Sequence, residues 1–425
     1  VRLSGPDVPA IARALLGAVP PPRQAVLRDF LDAAGEPLDS GIALYFPAPH
    51  SFTGEHVLEL HGHGGLVVCD LLLERVIALG ARLARPGEYS ERAFLNDKLD
   101  LLQAEAIADL IDSGSQAAAR AARRSMAGEF SRRILELNEL VTGLRVFVEA
   151  AIDFPDEEID FLADAELSRR LEAVGQSFAS LLESARQGRL LNEGLQVVIA
   201  GRPNAGKSSL LNALAGYEAA IVTAIPGTTR DLVREQLQIN GLPLHITDTA
   251  GLRETDDPVE QEGVRRTRAQ LASADQALLI VDASLGEEPD SLQAELPPGL
   301  PVLVVRNKTD LSGEPAGPVA GRPDTINISA LTGAGLEALR SALLAAAGFA
   351  APDGGSITAR RRHLASIEQA QQHFAAGCAA LQEAQAGELL AEELRAVQQE
   401  LATITGEFSS DDLLGRIFAS FCIGK

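Results

Sequence analysis

The order of apolar and polar positions divides the chain into four stretches with different periods. Up to about residue 92 the pattern is mixed: helix-like spacing at 8–19, short alternating segments such as Val57-Leu58-Glu59-Leu60-His61, and a second helix-like run at 66–79, separated by turn residues. Alternation at period two marks a half-buried strand and recurrence at three and four marks a helix, so this stretch predicts an α+β domain. From 99 to 191 Ala, Leu, Glu and Arg dominate, with one interruption at Asp153-Phe154-Pro155-Asp156, which predicts helices. Residues 195–349 alternate apolar runs (197–200, 244–247, 277–281 and 302–305) with helical segments, the pattern of a mainly parallel, doubly wound sheet. Within it, 313–323 is rich in Pro and Gly and reads as a loop. Long amphipathic helix returns at 357–421. The expected architecture is multidomain α/β: an α+β N-terminal domain at 1–98, a discontinuous helical domain at 99–193 and 351–425, and an inserted P-loop domain at 194–350.

Candidate chemistry concentrates in the inserted domain. Residues 201–208 read Gly-Arg-Pro-Asn-Ala-Gly-Lys-Ser, between an apolar run and a helical segment expected to start at Ser208. Glycines let the backbone approach phosphate, successive N–H groups and the helix start hold its oxygens, Lys207 neutralises charge, and Ser208 can ligate magnesium. Asn307-Lys308-Thr309-Asp310 follows another strand. A carboxylate at Asp310 accepts from guanine N1–H and the 2-amino group, which adenine lacks. Asn307 supports the loop, the Lys308 stem packs along the ring, and the Ser329-Ala330 turn offers a donor to O6. Asp248-Thr249-Ala250-Gly251 suits a magnesium-bound water and the γ-phosphate. One threonine of Thr228-Thr229-Arg230-Asp231 can complete the magnesium shell only with the γ-phosphate present, which makes a switch.

The residue after Gly251 is Leu252, which cannot orient water as the glutamine of Ras-like enzymes does. Glu260, in a polar stretch shortly downstream, can order water directly or through a second water. Asn204 adds an oxygen ligand able to hold a monovalent cation where an arginine finger would otherwise act, a charge worth about 10³ to 10⁵ in rate.

Composition narrows the setting. The chain has 425 residues, three widely spaced cysteines (Cys69, Cys378 and Cys422), and no run suited to a membrane or signal peptide. A soluble cytoplasmic protein in a reducing compartment is expected. Since residue 1 is not Met, a longer natural N-terminus is expected too. Cys69 and Cys378, in apolar helical contexts, read as buried core thiols. His61 and His63 have no visible third ligand and read as a structural turn. The formal charge of −22 opposes non-specific nucleic-acid binding, so an RNA partner needs a local basic surface. The candidates are Arg120, Arg123 and Arg124 with Arg132 and Arg133, and Arg360 to Arg362 beside His363; a solvated helix face is the competing reading. Lysine is confined to Lys98, Lys207, Lys308 and Lys425.

Beyond the GTPase motifs, which also fit the Era and Der ribosome-assembly switches, both flanks carry long signatures. They are His61-Gly62-His63-Gly64-Gly65, Pro86-Gly87-Glu88-Tyr89-Ser90 continuing to Arg92-Ala93-Phe94-Leu95-Asn96, Ile152-Asp153-Phe154-Pro155, and Phe421-Cys422-Ile423-Gly424-Lys425. With them the whole chain resembles the MnmE (TrmE) family of tRNA-modification GTPases. The resemblance implies a folate-binding, dimerising N-terminal domain and a G domain activated by potassium-dependent dimerisation. It implies GTP contacts at Asn204, Ala205, Gly206, Lys207, Ser208 and Ser209, at Thr223, Ala224, Ile225, Pro226, Gly227, Thr228 and Thr229, at Asp248, Thr249, Ala250 and Gly251, and at Asn307, Lys308, Asp310, Ser329 and Ala330. Potassium falls to Asn204, Thr223, Ile225 and Thr228, magnesium to Ser208 and Thr229, and water-ordering catalysis to Glu260. Pro226 stands where the family has Ala, which stiffens the loop. A 5-formyl- or 5,10-methylene-tetrahydrofolate site matches Arg2, Glu59, Lys98 and Lys425. Cys422, by its position, is expected to act in the modification step near the folate, as thiolate or as a group shaping the site, with a packing role as the competing reading. About twenty family residues precede the match to Val1, so an edge strand of this domain is expected to be missing. The implied partners are a second copy, the flavoprotein MnmG (GidA) carrying FAD in a heterotetramer, and the tRNA anticodon region, with modification at C5 of the wobble uridine. The alternative is a ribosome-assembly switch of Era/Der type.

Overall fold

The computed structural model describes residues 1–153, 165–215, 235–248, 274–286, 289, 293, 296–349, 355–407 and 417–418. The chain forms two compact units, Val1–Ala108 with Ser125–Leu167 and Gln369–Lys425, and Asp109–Arg124 with Ser168–Glu368.

In the first unit, β1 (Arg2–Ser4), β2 (Val26–Leu31), β3 (Pro37–Phe46) and β4 (Val57–His61) make an antiparallel sheet in the order β1-β4-β3-β2. Helix α1 (Val8–Leu16) buries Val8, Ile11, Ala12, Leu15 and Leu16, the spacing of one helical face. It ends at Leu16, three residues short of the expected run, because Gly17 adopts φ 78° and prolines follow at 20–22. Together with Leu72 and Val76 of α2 (Leu66–Ala78) this face packs on Phe30, Ala43, Tyr45, Leu58 and Leu60. Further along are α3 (Glu88–Leu95) and α4 (Leu101–Asp112). The long helix Glu129–Asp153 buries Phe130, Ile134, Leu137, Val141, Leu144 and Val148, and its partner Gly387–Thr405 buries Leu390, Leu394, Val397, Leu401 and Ile404. Both stripes step by four and three, the seam of a coiled-coil-like pair. Arg145 Nη1 donates to Gln398 Oε1 at 2.6 Å and Gln398 Nε2 to Thr142 Oγ1 at 2.7 Å, fixing the register of that pair. The expected run at 357–421 breaks at Gln385, φ 50°, between Arg361–Ala384 and Gly387–Thr405.

Among the described residues the second unit is built on seven strands: β5 (Leu195–Gly201), β6 (Glu235–Ile239), β7 (Leu242–Asp248), β8 (Gln276–Asp282), β9 (Val302–Asn307), β10 (Gly317–Val319) and β11 (Arg322–Asn327). Their order is β10-β11-β9-β8-β5-β7-β6, parallel through the centre with an antiparallel hairpin at each edge. Every residue of β8 is buried, as a strand covered on both faces requires. The stretch expected to loop at 313–323 instead holds β10 and the start of β11; Pro318 is tolerated because β10 is an edge strand, and Pro323 because it precedes the part of β11 paired with β9, Thr325–Asn327.

Helix α5 (Gln116–Met126), mostly in this unit, buries Ala118, Ala121 and Ala122. Helix α7 (Ala165–Glu193), following α6 (Glu129–Asp153), reaches β5 through the single residue Gly194. That residue has φ 69°, and a Cβ there would lie 2.8 Å from Pro243 O and from His245 Cδ2, so only glycine fits.

Candidate nucleotide-binding site

Strand β5 ends where the Gly201–Ser208 loop begins, and α8 (Lys207–Ala215) follows, so the loop lies at the carboxyl edge of the sheet and at a helix N-terminus. Asn204 adopts φ 65°. Gly206 has φ 96°, and a Cβ on it would stand 2.2 Å from Asn307 Nδ2. Lys207 Nζ donates to Gly201 O at 2.8 Å and Arg202 O at 3.2 Å, folding its ammonium over the loop. Ala205 is buried, while Asn204, Ser208 and Ser209 are exposed. A cationic head, open N–H groups at a helix start and an exposed hydroxyl beside them suit a phosphate and a magnesium ion.

Asn307, 2% exposed, ties the loops together: its Nδ2 donates to Ala205 O and its Oδ1 accepts from Ala330 N, both at 3.0 Å. Lys308 adopts φ 68° and its Nζ lies 2.6 Å from Asp282 Oδ2. Asp282 Oδ1 accepts from Ser284 N at 3.0 Å and Ser284 Oγ at 2.6 Å. Burial pushes the Asp282 carboxyl up, but hydrogen bonds from Lys308 and Ser284 outweigh it and hold the group below its ordinary value. Ser329 Oγ donates to Asp310 Oδ1 at 2.6 Å, leaving an exposed carboxylate aimed by a buried serine. The structure therefore brings Ala205, Gly206, Asn307, Ser329 and Ala330 together and joins Lys308 and Asp310 to them. Sequence reasoning missed Asp282 and Ser284. The available signal was an acid at a strand's end with serine two positions on, the signature of an Asx turn.

Asp248 ends β7, its main chain in register with Ile199 one strand from the loop. Thr223, Ala224, Ile225, Pro226, Gly227, Thr228, Thr229, Thr249, Ala250, Gly251, Leu252, Glu260, Cys422 and Lys425 lie outside the described residues.

The other predicted site is in the first unit. Arg2 and Glu59 are register partners, and Arg2 Nε donates to Glu59 Oε1 at 2.9 Å. Tyr89 Oη donates to Arg2 O at 2.6 Å, and the Arg2 guanidinium lies 5.6 Å from the centre of the Tyr89 ring. These residues line a cleft of about 660 Å³ together with His61, Glu88 and Arg92. Lys98 does not line it; its Cε packs 3.2 Å from where a Gly54 Cβ would be. Below the cleft a chain of polar contacts fixes its wall. Buried Glu88 accepts from Arg82 Nη1 at 2.9 Å and Arg92 Nη2 at 2.9 Å, Arg92 Nη1 donates to Glu55 Oε2 at 2.8 Å, and Ser4 Oγ donates to the same oxygen at 2.8 Å. The Arg82 hydrogen bond, with help from Arg85 N and Arg92, brings the Glu88 pKa down to about 2 against the opposing effect of burial.

His63 donates its main-chain N–H to Asp39 Oδ2 at 2.9 Å and has Nδ1 2.8 Å from Asp39 Oδ1; His61 Nε2 lies 3.4 Å from Glu59. The cysteine expectation needs correction: Cys69 is exposed, because α2 buries only Leu72 and Val76, and Cys378 is half-buried, its thiol pushed up by burial. Among the basic candidates, Arg124 donates to Ser356 O, Arg132 and Arg133 pair with Glu129, Arg360 pairs with Asp109 at 2.6 Å, and Arg361 with Glu193 at 3.3 Å. Among the described residues no helix is long and apolar enough to cross a membrane.

Comparison with known proteins matches residues 1–98 to the family model "GTP-binding protein TrmE N-terminus" and 101–422 to "MnmE helical domain". The tRNA modification GTPase MnmE of Yersinia pseudotuberculosis serotype O:1b (strain IP 31758) is 58% identical over 434 residues, covering 100% of this chain and 95% of the relative. That of Methylococcus capsulatus (strain ATCC 33009 / NCIMB 11132 / Bath) is 57% identical over 426 residues with the same coverage. Among solved structures, Era of Aquifex aeolicus is 27% identical and covers 42% of this chain and 66% of that chain, with a TM-score of 0.27.

Proposed function

Because the chain belongs to the MnmE family of tRNA modification GTPases, we propose that it is a potassium-activated GTPase that modifies C5 of the wobble uridine, position 34. It works with the flavoprotein MnmG (GidA), which carries FAD, and yields the aminomethyl or carboxymethylaminomethyl form. The full-length match carries this reading; both flanks are matched, which disfavours a ribosome-assembly switch of Era/Der type.

In this reading the domains are 1–98, 99–193 with 351–425, and 194–350. The Gly201–Ser208 loop holds the GTP phosphates, Lys207 neutralises them, Ser208 and Thr229 hold magnesium, and Asp310 reads guanine. Asn204, with Thr223, Ile225 and Thr228, holds potassium, which supplies positive charge beside the phosphates. Glu260 orders water. Arg2, Glu59, Lys98 and Lys425 take the tetrahydrofolate derivative: a carboxylate accepts from the pterin amino group and cations meet the folate carboxylates and formyl oxygen. The Arg2–Glu59 pair in an open cleft suits that ligand. Cys422 acts in the modification step. A homodimer is supported by exposed Leu66, Val67 and Leu71 on α2, more apolar surface than one helix ordinarily leaves in water. The work is cytoplasmic.

The test is nucleoside analysis of tRNA from cells lacking the gene, with and without this chain supplied. Wobble-uridine modification is expected to vanish and return; unchanged modification would defeat the reading. In vitro, hydrolysis is expected to be fast in potassium and slow in sodium, and Asn204→Ala to erase the difference. Equal wild-type rates in both salts would remove the cation from the mechanism.

A further inference from the structure

Most of the described arginines are committed to a carboxylate or a carbonyl. Arg13, Arg120 and Arg123 are the described ones for which the structure shows no hydrogen bond or ion pair. Arg120 and Arg123 stand three positions apart on α5, so they share one face a single turn apart. Both are exposed. The helix has the sequence Gln-Ala-Ala-Ala-Arg-Ala-Ala-Arg-Arg-Ser-Met, without one acidic side chain to neutralise them.

The rest of α5 is built to hold that face still. Ala118, Ala121 and Ala122 are 3%, 0% and 0% exposed, and their small side chains press the helix backbone close to its neighbours. Arg124, the third arginine of the run, is turned inward and donates its Nε to Ser356 O at 2.6 Å. Ala117 Cβ lies 3.7 Å from where a Cβ on Gly241 would be, at the turn between β6 and β7. Thus α5 meets the turn between β6 and β7 at the edge of the nucleotide-binding sheet, and its two free guanidinium groups are carried by the same compact unit as the phosphate loop.

We propose that Arg120 and Arg123 form a docking surface for the RNA phosphate backbone of the tRNA substrate. The proposal rests on the tRNA-modification reading. The charge logic selects the partner: in a chain of net charge −22 most basic side chains are neutralised internally, and two left bare on one helical face suit a polyanion. Guanidinium groups one turn apart can meet successive phosphates through charge-assisted hydrogen bonds. Contacts of this kind position RNA and carry no sequence information, so they set affinity and salt dependence and leave the choice of tRNA to other groups.

The experiment measures binding of labelled tRNA to the full chain by fluorescence anisotropy across a salt series, for wild type, Arg120→Glu/Arg123→Glu and Arg120→Lys/Arg123→Lys. Charge reversal is expected to weaken binding at least tenfold and to lower the slope of log K against log salt by about 1.4 to 1.8, the release from two phosphates. The lysine variant keeps the wild-type slope, and melting temperature and intrinsic GTP hydrolysis are unchanged in both variants. Wild-type affinity and slope in the reversed variant would overturn the proposal while leaving the tRNA reading intact. So would loss of binding to the flavoprotein with tRNA affinity untouched, which would make this a protein-binding face. No binding of tRNA by the wild type, with or without the flavoprotein, would instead strike the reading beneath it.

Discussion

The nucleotide loops and the N-terminal cleft both place charged side chains at strand ends, but they hold them by different means. Around the nucleotide loop the anchors include main chain: Asn307 takes one bond from Ala330 N and gives one to Ala205 O, and Asp282 is met by Ser284 N as well as by Lys308. Around the cleft the anchors are mostly other charges, Arg82, Glu88, Arg92 and Glu55 in succession. A main-chain anchor does not titrate and tolerates no added atom. A charge relay tolerates repacking but depends on every member keeping its proton state.

The largest effect expected from this contrast comes from bulk. Gly206→Val sets side-chain atoms where Asn307 Nδ2 stands, on a residue with φ 96°. Guanine-nucleotide affinity, measured by titration with a fluorescent analogue, should fall by more than about 100-fold. Near-normal affinity would show that the loop gives way more easily than its packing implies.

Next is Asp282→Asn, which keeps the shape and removes the charge that holds Lys308. Nucleotide affinity should drop by roughly tenfold, the scale of one charge-assisted hydrogen bond. The loss should be absent when Lys308→Ala is already present, since the two act as one pair. Additive losses would mean that Asp282 serves only its own turn with Ser284.

The smallest expected effect is electrostatic. Glu88 has its pKa lowered from an ordinary 4.5 to about 2, so its ion pairs contribute stability above the unfolded value and lose it as pH falls through that interval. Between about pH 5 and pH 3 the unfolding midpoint of wild type should fall by roughly 3 °C more than that of Glu88→Gln, which is less stable at pH 7 but flatter in this window. Parallel curves would locate the acid sensitivity elsewhere.

The same contrast explains what the sequence disclosed. The phosphate loop is contiguous and its chemistry belongs to the backbone, so eight residues announce it. Alternation at Val57–His61 likewise matched β4 to the residue, because a half-buried strand writes its register into residue type. The Glu88 relay joins positions up to 37 apart, Glu55 and Arg92, and nothing local marks them as partners. Cys69 misled for a related reason: its neighbours Leu66, Val67 and Leu71 are apolar yet exposed, so apolar spacing there did not mean burial in this chain. The hairpin at Gly317–Asn327 was hidden by Pro318, accepted on the edge strand β10, and by Pro323, which lies before the part of β11 paired with β9.

Gly194 adds a mechanical consequence. Between a helix of 29 residues and the central strand β5 the chain has a single residue of freedom, and that residue is already pinned against Pro243 and His245. A helix of that length spans about 44 Å. With no slack at the joint, a rotation of a few degrees in the strand would carry the end of a rigid helix of that length through about 2–4 Å, so the orientation of β5 sets the direction in which α7 leaves it.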